Sequence, residues 1–306
     1  MSSGRVVVVG SLNLDVVSRV PHLPRPGETL LGVDLVRLSG GKGGNQAHAA
    51  ACSAPPGVRV AMVGRVGDDD AGRLLRTDLA RVGVDVVHVG VAPGPSGTAL
   101  IAVDAKGENT IVVHPGANAD WPGSAIETFA IEPGDVVVVQ LEIPFPVVAS
   151  VVTRAHAAGA RVVLNAAPLD PRVLELLDGV AVLVVNEGEA AELFGLDTPI
   201  DPDAVRAVAR KLPTDLVVTL GARGGVVAPA GSATRPMSAF AVDVVDTVGA
   251  GDAFVGALAA ALASGASLHG AARWGAAAGA LTATVRGARH PTLDRDAVAA
   301  LAGGLE

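Results

Sequence analysis

The sequence predicts an α/β fold: a three-layer α/β/α sandwich with a mostly parallel central sheet and a small projecting β-sheet that forms a lid. Short valine-rich runs recur along the chain and are apolar almost throughout, as in strands buried on both faces of a parallel sheet. Helical segments separate these runs, and this alternation is typical of three layers. No linker or repeat divides the 306 residues, so we expect a single domain over 1–306.

The predicted elements alternate along the chain. Strands are predicted at residues 5–9, 59–63, 135–139, 161–164, 181–185 and 215–220, and a β-branched stretch at 240–245 predicts one more. Helices are predicted at residues 45–52, 71–82, 146–158, 187–194 and 202–212, and an alanine-rich helix follows at 253–263. This order favours parallel pairing, because a helix between two strands returns the chain to the same end of the sheet.

Two regions depart from this alternation. Residues 12–38 contain Pro21, Pro24, Pro26 and Gly27 before an alternating apolar stretch, and residues 98–114 predict a hairpin with its turn at 106–109. Neither region has a helix to cover its second face. We therefore expect the two regions together to form the lid.

Composition limits the functions open to the chain. Its formal net charge is −8 and no block of consecutive lysines or arginines stands out, which argues against nucleic-acid or anionic-membrane partners. The lone Cys52 excludes an internal disulfide and a cysteine-based zinc cluster, and it fits a reducing cytoplasm. The apolar run at 6–9 is too short for a signal peptide. Polar breaks in the uncharged stretch 253–272 favour two packed helices over a membrane span. We expect a cytoplasmic protein.

The segment DTVGAGD, at residues 246–252, is the most informative in the chain. A glycine turn that opens a helix directs free backbone N–H groups and the positive end of the helix dipole at one point, which suits an anion. Asp252 places a carboxylate at that point, where it would repel a resting phosphate. A carboxylate there makes sense as a base that acts on the group attacking the phosphate, so phosphoryl transfer is the first hypothesis.

A second glycine-rich segment, GGKGGNQ at residues 40–46, precedes a predicted helix. It is not a Walker A loop, because the spacing between its glycines and Lys42 is wrong and no Ser or Thr follows Lys42. It is not a dinucleotide fingerprint either, because no G-x-G-x-x-G follows the first strand. Its backbone and side-chain donors could approach a polyhydroxylated ligand closely. A plain strand-to-helix turn with a solvated lysine is the alternative.

Polar residues follow several predicted strands, where α/β sheets bind their ligands. Asn13 and Asp15 follow the first strand and Glu142 follows the strand at 136–141, although each could simply serve a turn or a solvated loop. Asn186 and Glu189 form N-x-x-E, which is also a helix capping box. The glycine turn at 219–225 could host a nucleotide or be a hairpin. No histidine pair has metal-ligand spacing.

The order of these motifs resembles the PfkB carbohydrate-kinase family over residues 6–292. The motifs are Asn13 with Asp15, GGKGGNQA, Glu142, N-x-x-E, TLGARG and DTVGAGD. DTVGAGD followed by AFVGAL is the most specific signature of the family, and GGKG-x-NQA is similar to its ribose-phosphorylating branch. The resemblance implies a central sheet flanked by helices and a β lid that often mediates homodimerisation.

The resemblance also implies roles for residues. The protein would use ATP to phosphorylate the terminal 5-hydroxyl of D-ribose, which gives D-ribose 5-phosphate and ADP. Asp252 would be the general base, and the N–H groups of Gly249, Ala250 and Gly251 would form the anion hole. The sugar would be bound by Asn13, Asp15, Gly41, Lys42, Gly43, Asn45 and Glu142. ATP would be bound by Asn186, Thr219, Gly221, Arg223, Gly224, Gly251 and Ala276.

Two cations are implied by the same resemblance. Glu189 would help to place Mg²⁺, largely through water. An activating K⁺ beside the anion hole would be bound by Asp246, Val248, Thr282, Val285, Gly287 and Thr292, many of them through carbonyl oxygens. The chain departs from the family pattern at two places. The segment 286–292 is one residue longer, which affects the assignment of Thr292 to K⁺. Ala276 stands where the family can have a histidine near adenine, which affects its assignment to ATP.

Other acceptors and other classes of protein remain open. Within the family the alternatives are 2-deoxyribose, fructose, fructose phosphate and a nucleoside such as adenosine. The chain has no tyrosine, five phenylalanines and two tryptophans, few for stacking a nucleobase, whereas cations in the lid segments leave a sugar phosphate possible: Arg19, Arg25, Arg37 and Lys106. A nicotinamide oxidoreductase lacks its glycine fingerprint here. A non-catalytic sugar-binding regulator would have no use for Asp252 beside an anion hole.

Overall fold

The computed structural model describes residues 4–123, 126 and 129–305, and the elements below are those of this part of the chain. The strands are β1 Arg5–Val9, β2 Asn13–Arg19, β3 Asp34–Gly40, β4 Arg59–Gly67, β5 Asp85–Ala92, β6 Gly97–Val103, β7 Asn109–His114, β8 Val136–Val139, β9 Arg161–Asn165, β10 Val182–Asn186, β11 Asp215–Thr219, β12 Gly225–Ala228 and β13 Arg235–Met237. The α-helices are α1 Lys42–Ser53, α2 Asp70–Arg81, α3 Phe145–Ala157, α4 Glu187–Phe194, α5 Pro202–Ala209, α6 Ala250–Ala263, α7 Leu268–Thr282 and α8 Arg295–Ala302.

The large sheet has nine strands in the order β13-β12-β11-β10-β9-β8-β1-β4-β5. From β11 to β5 all neighbours are parallel, and β12 and β13 extend the sheet antiparallel at one edge. The strands that follow β1 in the chain lie on both of its sides, β4 on one and β8 on the other. The topology therefore reverses between β1 and β8, and such switch points are where α/β sheets bind ligands.

Helices cover both faces of this sheet. Val6 and Val8 of β1 belong to a core shared with α1, α6 and α7, whereas Val7 and Val9 belong to a core shared with α3 and α5. All four valines are at most 2% exposed, which explains why the predicted strands read as continuous apolar runs. The three-layer sandwich with a mostly parallel sheet is confirmed.

A smaller four-stranded sheet has the order β3-β2-β6-β7. The β2–β3 and β6–β7 pairs are antiparallel and β2–β6 is parallel. The sheet draws on both regions expected to form the lid, and the hairpin prediction is confirmed by the β6–β7 pair. Asn13, the first residue of β2, pairs with Gly40 and with Gly97, so this sheet starts at the carboxyl end of β1.

One predicted strand is wrong. Residues 240–245 contain no strand, although their β-branched composition favours one. The edge of the large sheet is already formed by β13, and the backbone here runs along the loop that follows α7 instead: the N–H groups of Val245 and Asp246 both donate to Ala283 O, at 2.8 and 3.2 Å. The other predicted boundaries lie within four residues of the observed ones.

Most of the glycine-rich segment 40–46 is helical rather than a turn. Helix α1 begins at Lys42, so Gly43 and Gly44 lie in its first turn. A Cβ atom on Gly43 would lie 2.7 Å from the backbone of Gly10 and Ser11. The glycines let the start of α1 approach the carboxyl end of β1 more closely than any side chain would allow.

None of the helices in the described residues is long and apolar enough to cross a membrane. Helix α6 is instead almost wholly buried between α1 and α7.

The close contact between α6 and α1 yields a stability prediction. In an exposed helix, Gly→Ala usually stabilises by about 1 kcal/mol. At Gly256, however, a Cβ atom would lie 2.2 Å from Gln46 O and 2.9 Å from Ala50 N. We expect Gly256→Ala to lower the free energy of unfolding by about 2 kcal/mol or more, measured by chemical denaturation.

Gly94→Ala is the matched control, because no atom lies within 4 Å of its added Cβ. We expect a change of less than about 1 kcal/mol for this variant. A Gly256→Ala protein as stable as the parent would mean that the two helices can separate without cost.

Candidate active site

Polar residues gather at the carboxyl ends of neighbouring strands, and Asn13, Glu142, Asn186 and Thr219 among them were predicted for the site. Ser11 and Asn13 follow β1, Glu142 follows β8, and Asn165, Asn186 and Thr219 end β9, β10 and β11. These strands are consecutive neighbours in the sheet. The N-termini of α1 and α6 lie over this edge, so helix N–H groups and strand-end side chains face the same space.

Glu142 is anchored between β1 and α1. Its Oε2 accepts hydrogen bonds from Ser11 Oγ at 2.5 Å and from the backbone N–H of Lys42 at 3.0 Å. Ser11 Oγ in turn accepts the N–H of Gly43 at 3.3 Å. These bonds from the first turn of a helix fix the position of the carboxylate.

Asn13 is oriented by a residue that the sequence did not indicate. The Asn118 side chain accepts the N–H of Leu12 at 2.9 Å and donates to Leu12 O at 3.1 Å and to Asn13 Oδ1 at 2.7 Å. With its oxygen engaged, Asn13 presents its NH₂ group as a donor. Gly97 makes room for this pair, since a Cβ there would lie 2.2 Å from each of the two side chains.

Asp252 lies in the first turn of α6, and its residue surface is 8% exposed. Asn45 Nδ2 donates to its Oδ2 and Gln46 Nε2 donates to its Oδ1, both at 3.1 Å. Gln46 Nε2 also donates to Asn165 Oδ1 at 3.0 Å. Two consecutive amides of α1 therefore fix both oxygens of the carboxylate, and β9 supports one of these amides.

Burial raises the pKa of three carboxyl groups at the site. The pKa of Asp252 is raised by desolvation, against the opposing effects of Lys42 and of the bonds from Asn45 and Gln46. Desolvation raises the pKa of Asp15 to about 6, although the cation of Arg289 lowers it. The pKa of Glu189 is also raised by desolvation, which the N–H of Asn186 and the charge of Lys42 oppose. A raised carboxyl pKa suits a general base.

The turn before α6 presents the N–H groups expected to bind an anion. Gly249 is the N-cap of α6 with a φ of 78°, and its Cβ would lie 2.3 Å from Ala288 O, so a glycine is needed there. The Ala250 N–H donates to Thr247 O at 3.2 Å. Gly249 and Gly251 donate to no backbone oxygen in the part of the chain described, so their N–H groups are available to a ligand.

A pocket connects this turn with the ends of β10 and β11. Its walls include Lys42, Asn165, Asn186, Glu189, Thr219, Gly249, Gly251, Asp252, Phe254 and Val255. Asn186 and Glu189 also form a reciprocal capping box at α4, with both bonds at 2.8 Å. The structural and functional interpretations of N-x-x-E are therefore compatible, because the same two residues cap a helix and line the pocket.

Four residues expected to bind ATP are not among the described residues that line this pocket: Gly221, Arg223, Gly224 and Ala276. Residues 219–225 form a hairpin turn, since β11 and β12 pair antiparallel on either side of it. Gly221, Arg223 and Gly224 lie in that turn, where Arg223 pairs with Glu187. Ala276 lies on α7, partly buried against the core, and is not among the residues described as lining the pocket.

The residues expected to bind K⁺ lie on two adjacent loops, except Thr282, which is the last residue of α7. Asp246 joins the loops, because its carboxylate accepts the N–H of Val248 at 3.0 Å and of Gly287 at 2.9 Å. The Thr282 hydroxyl is buried inside α7 and donates to Ala278 O at 2.9 Å. The Thr292 N–H bonds to His290 Nδ1 at 3.1 Å. Carboxylate and carbonyl oxygens are the donors that suit K⁺.

Several residues of the site were missed at the level of sequence. They are Ser11, Gln46, Asn118, Asn165 and Arg289. Gln46 lies inside the GGKGGNQ motif and Asn165 ends a predicted strand, so position could have suggested both. Asn118 lies in a short 3₁₀ helix, Gly116–Ala119, and Arg289 lies in the loop after α7. Both are far away in the chain, and no local pattern marks them.

The arrangement suits one class of reaction. A buried carboxylate lies between polar side chains at the ends of β1 and β8, which offer donors and acceptors to hydroxyl groups, and a helix N-terminus that suits a phosphoryl group. This geometry suits phosphoryl transfer to an alcohol. The family model described as pfkB family carbohydrate kinase matches residues 3–295 of this chain. The chain belongs to this family, as the motifs predicted, and it is a carbohydrate kinase.

Relatives agree with this membership over nearly the whole chain. Ribokinase of Bacillus subtilis is 38% identical over 288 residues, which covers 93% of this chain and 94% of the relative. Ribokinase of Haemophilus influenzae is 36% identical over 290 residues, with the same coverage. The structure of Arabidopsis thaliana ribokinase complexed with ribose and ATP has a TM-score of 0.87 at 33% identity and covers 98% of this chain and 99% of that chain.

Proposed function

We propose that this protein phosphorylates the 5-hydroxyl of D-ribose with ATP to give D-ribose 5-phosphate and ADP. The observation that carries the proposal is the position of Asp252, whose carboxylate is held by Asn45 and Gln46 between the sugar side and the anion-binding turn. The similarity to ribokinases, one of them complexed with ribose and ATP, supports ribose as acceptor.

The sugar side of the proposed site is the carboxyl end of β1 and β8. Asn13, Asp15, Lys42, Asn45 and Glu142 supply donors and acceptors for hydroxyl groups, and Gly41 and Gly43 let the chain approach the sugar. Asn13 is fixed by Asn118 and Glu142 by Ser11. Preorganised partners of this kind hold the reacting hydroxyl in line with the phosphorus.

In the proposed reaction, Asp252 accepts the proton of the 5-hydroxyl as the sugar oxygen forms a bond to the γ-phosphorus. The bond from phosphorus to the β–γ bridging oxygen breaks, and ADP leaves with that electron pair. The N–H groups of Gly249 and Gly251, with the dipole of α6, stabilise the charge on the transferring group. Lys42, which lines the same pocket, balances the added negative charge.

Mg²⁺ and K⁺ are part of the proposal. Glu189 lines the pocket as an oxygen donor suited to Mg²⁺, which when bound neutralises charge on the β- and γ-phosphates. The loops joined by Asp246 offer the carboxylate and carbonyl donors that suit K⁺ behind the turn. We assign the nucleotide to Asn186, Thr219 and the turn with Gly221, Arg223 and Gly224.

We also propose that the lid mediates a homodimer and that the enzyme is cytoplasmic. Support for the dimer comes from the small sheet and its loops, which expose large apolar side chains: Leu31, Val33, Leu35, Leu100, Ile111 and Val112. Leu100 and Val112 are direct cross-strand partners and lie on the same face of the sheet, and exposed apolar side chains grouped in this way usually mark an interface. The single cysteine, Cys52, is a free thiol and fits a reducing compartment.

Substrate and base are tested together by measuring ADP release with ribose, 2-deoxyribose, fructose, fructose phosphates and adenosine. We expect the highest kcat/KM with ribose. Asp252→Asn removes the base but keeps the size of the side chain, so we expect kcat to fall about a hundredfold or more while calorimetry detects ribose binding as before.

Asp203→Asn serves as the control, because Asp203 is exposed on α5 and pairs with Arg206 on the surface. Near-normal turnover of Asp252→Asn would refute the proposed base. Ribose binding without turnover of any acceptor by the parent enzyme would favour the sugar-binding regulator.

The pH dependence of ribose binding tests Asp15. Its pKa of about 6 means that the carboxylate, which accepts hydroxyl hydrogen bonds, is lost as the pH falls through 6. At pH 5 about one tenth of Asp15 would be ionised, so we expect the Kd for ribose, measured by calorimetry without ATP, to rise about tenfold between pH 7.5 and pH 5.

Asp15→Asn should bind ribose more weakly and without this pH dependence. Asp252→Asn should keep the dependence, which separates Asp15 from the other buried acid. An equal Kd at both pH values in the parent enzyme would exclude the role given to Asp15.

Replacing K⁺ with choline at constant ionic strength tests the cation site. We expect kcat/KM to fall about fivefold or more without K⁺, because the loops joined by Asp246 lose the charge that fixes them beside the anion-binding turn. Asp246→Asn should reduce this response and the exposed Asp243→Asn should retain it. Equal rates in K⁺ and choline would remove K⁺ from the proposal.

A further inference from the structure

The loop after α7 contacts three parts of the proposed machinery through three successive residues. The N–H of Gly287 donates to Asp246 at 2.9 Å. The backbone of Ala288 packs against Gly249, the N-cap of α6. The side chain of Arg289 reaches α1, where Nε donates to Asn45 Oδ1 at 3.0 Å. Gly287 and Gly249 have roles in the proposed function, whereas Arg289 has none so far.

The guanidinium of Arg289 is enclosed, although the residue as a whole keeps some exposed surface. Its Nη1 is buried and has no hydrogen-bond partner among the residues described, and Nη2 lies 3.5 Å from Gly40 O. Gly44 provides the space, because a Cβ there would lie 2.6 Å from Nη2. Enclosing a cation is costly unless it is compensated by charge and hydrogen bonds, so this position calls for an explanation.

Arg289 determines which way the Asn45 amide points. A guanidinium only donates, so the atom of Asn45 that faces it must be the oxygen. The nitrogen then faces Asp252, to which Nδ2 donates at 3.1 Å. The reversed amide would place its NH₂ against the guanidinium and its oxygen against the carboxylate, with two repulsive contacts in place of two hydrogen bonds.

Acidic groups on three elements act electrostatically on the guanidinium of Arg289. They are Asp15 on β2, Asp78 on α2 and Asp252 on α6. On α1, burial raises the pKa of the Cys52 thiol while the guanidinium lowers it, and burial and the guanidinium both lower the pKa of the His48 ring. Lys42 and Glu142 are the other charged groups that act on Asp252. Desolvation lowers the pKa of Arg289 to about 10, so the side chain remains a cation at neutral pH.

We propose that Arg289 is a positioning residue for phosphoryl transfer: it fixes the Asn45 amide so that this amide holds Asp252 as an oriented carboxylate. This inference rests on the proposed function, because it gives Asn45 and Asp252 the roles assigned there. Arg289 acts through Asn45 and contacts neither the sugar nor the phosphate. The segment 286–292, which is one residue longer than the family pattern, brings the Arg289 side chain to α1.

The test compares Arg289→Met, which removes charge and donors, with Arg289→Lys, which keeps a charge and one donor group. Arg273→Met is the control, because Arg273 is an exposed arginine on α7 that, like Arg289, donates through Nε to an oxygen far away in the chain, here Ala302 O at 2.7 Å. Three quantities are measured for each protein: kcat and KM for ribose from pH 5 to 9, the titration of Asp252 by ¹³C NMR of its carboxyl carbon, and the K⁺ response.

For Arg289→Met we expect kcat to fall about tenfold or more and the Asp252 titration to move up by about half a pH unit or more. The acid limb of kcat should move in the same direction, because the carboxylate loses a hydrogen-bond donor of fixed orientation. Arg289→Lys should recover part of both effects. Arg273→Met should leave the Asp252 titration and the pH profile as in the parent enzyme.

Unchanged kcat and an unchanged Asp252 titration in Arg289→Met would overturn the inference. So would a loss of activity in both Arg289 variants that accompanies a changed K⁺ response but leaves the Asp252 titration in place, because the residue would then only support the loop. The NMR titration needs no turnover. If the parent enzyme phosphorylated no sugar while the titration still moved, the proposed function would fail and the positioning of Asp252 would stand.

Discussion

Burial of the Asp252 carboxylate is the constraint on which the rest of the site depends. A carboxylate out of water costs several kcal/mol unless hydrogen bonds and opposite charge compensate it. The compensation comes from α1, through the amides of Asn45 and Gln46. The starts of α1 and α6 must therefore lie in contact, and this contact exists only because Gly256 lets the backbone of α6 reach that of α1.

The same constraint extends to the sheet and to the C-terminal loops. The first turn of α1 rests on the carboxyl end of β1 because Gly43 has no side chain, and Gln46 is tied to Asn165 at the end of β9. From the other side, Arg289 reaches Asn45. Residues from widely separated parts of the chain thus converge on one carboxylate, and each contact restricts the position of the next.

Much of the fold followed from the sequence, because parallel strands buried on both faces leave an unmistakable apolar pattern. Runs such as 5–9 and 181–185 carry that pattern in their own residues. The error at 240–245 has the opposite cause: valines there favour a strand locally, but β13 already occupies the sheet edge and Ala283 O takes the backbone N–H groups. The β-strand propensity of a segment does not indicate whether an edge of the sheet is free to pair with it.

The site was predictable where a residue's role depends on its neighbours in sequence. The capping geometry of Asn186 and Glu189 and the glycine turn before Asp252 are local, and their patterns indicated them. Asn118 and Arg289 act on residues more than a hundred positions away. Their effect arises only when the fold brings loops together, so a single sequence contains no signal for them.

The balance of charge around Asp252 follows from what a base must do beside a phosphate. Desolvation raises its pKa, which strengthens it as a base, and an arriving γ-phosphate would raise the pKa further by repulsion. Both effects favour the protonated form of Asp252, which cannot accept the proton of the sugar hydroxyl. Lys42, Asn45 and Gln46 oppose them, and Lys42 also lines the pocket on the phosphate side. The cation that opposes protonation of Asp252 is therefore placed to balance the charge of the phosphate as well.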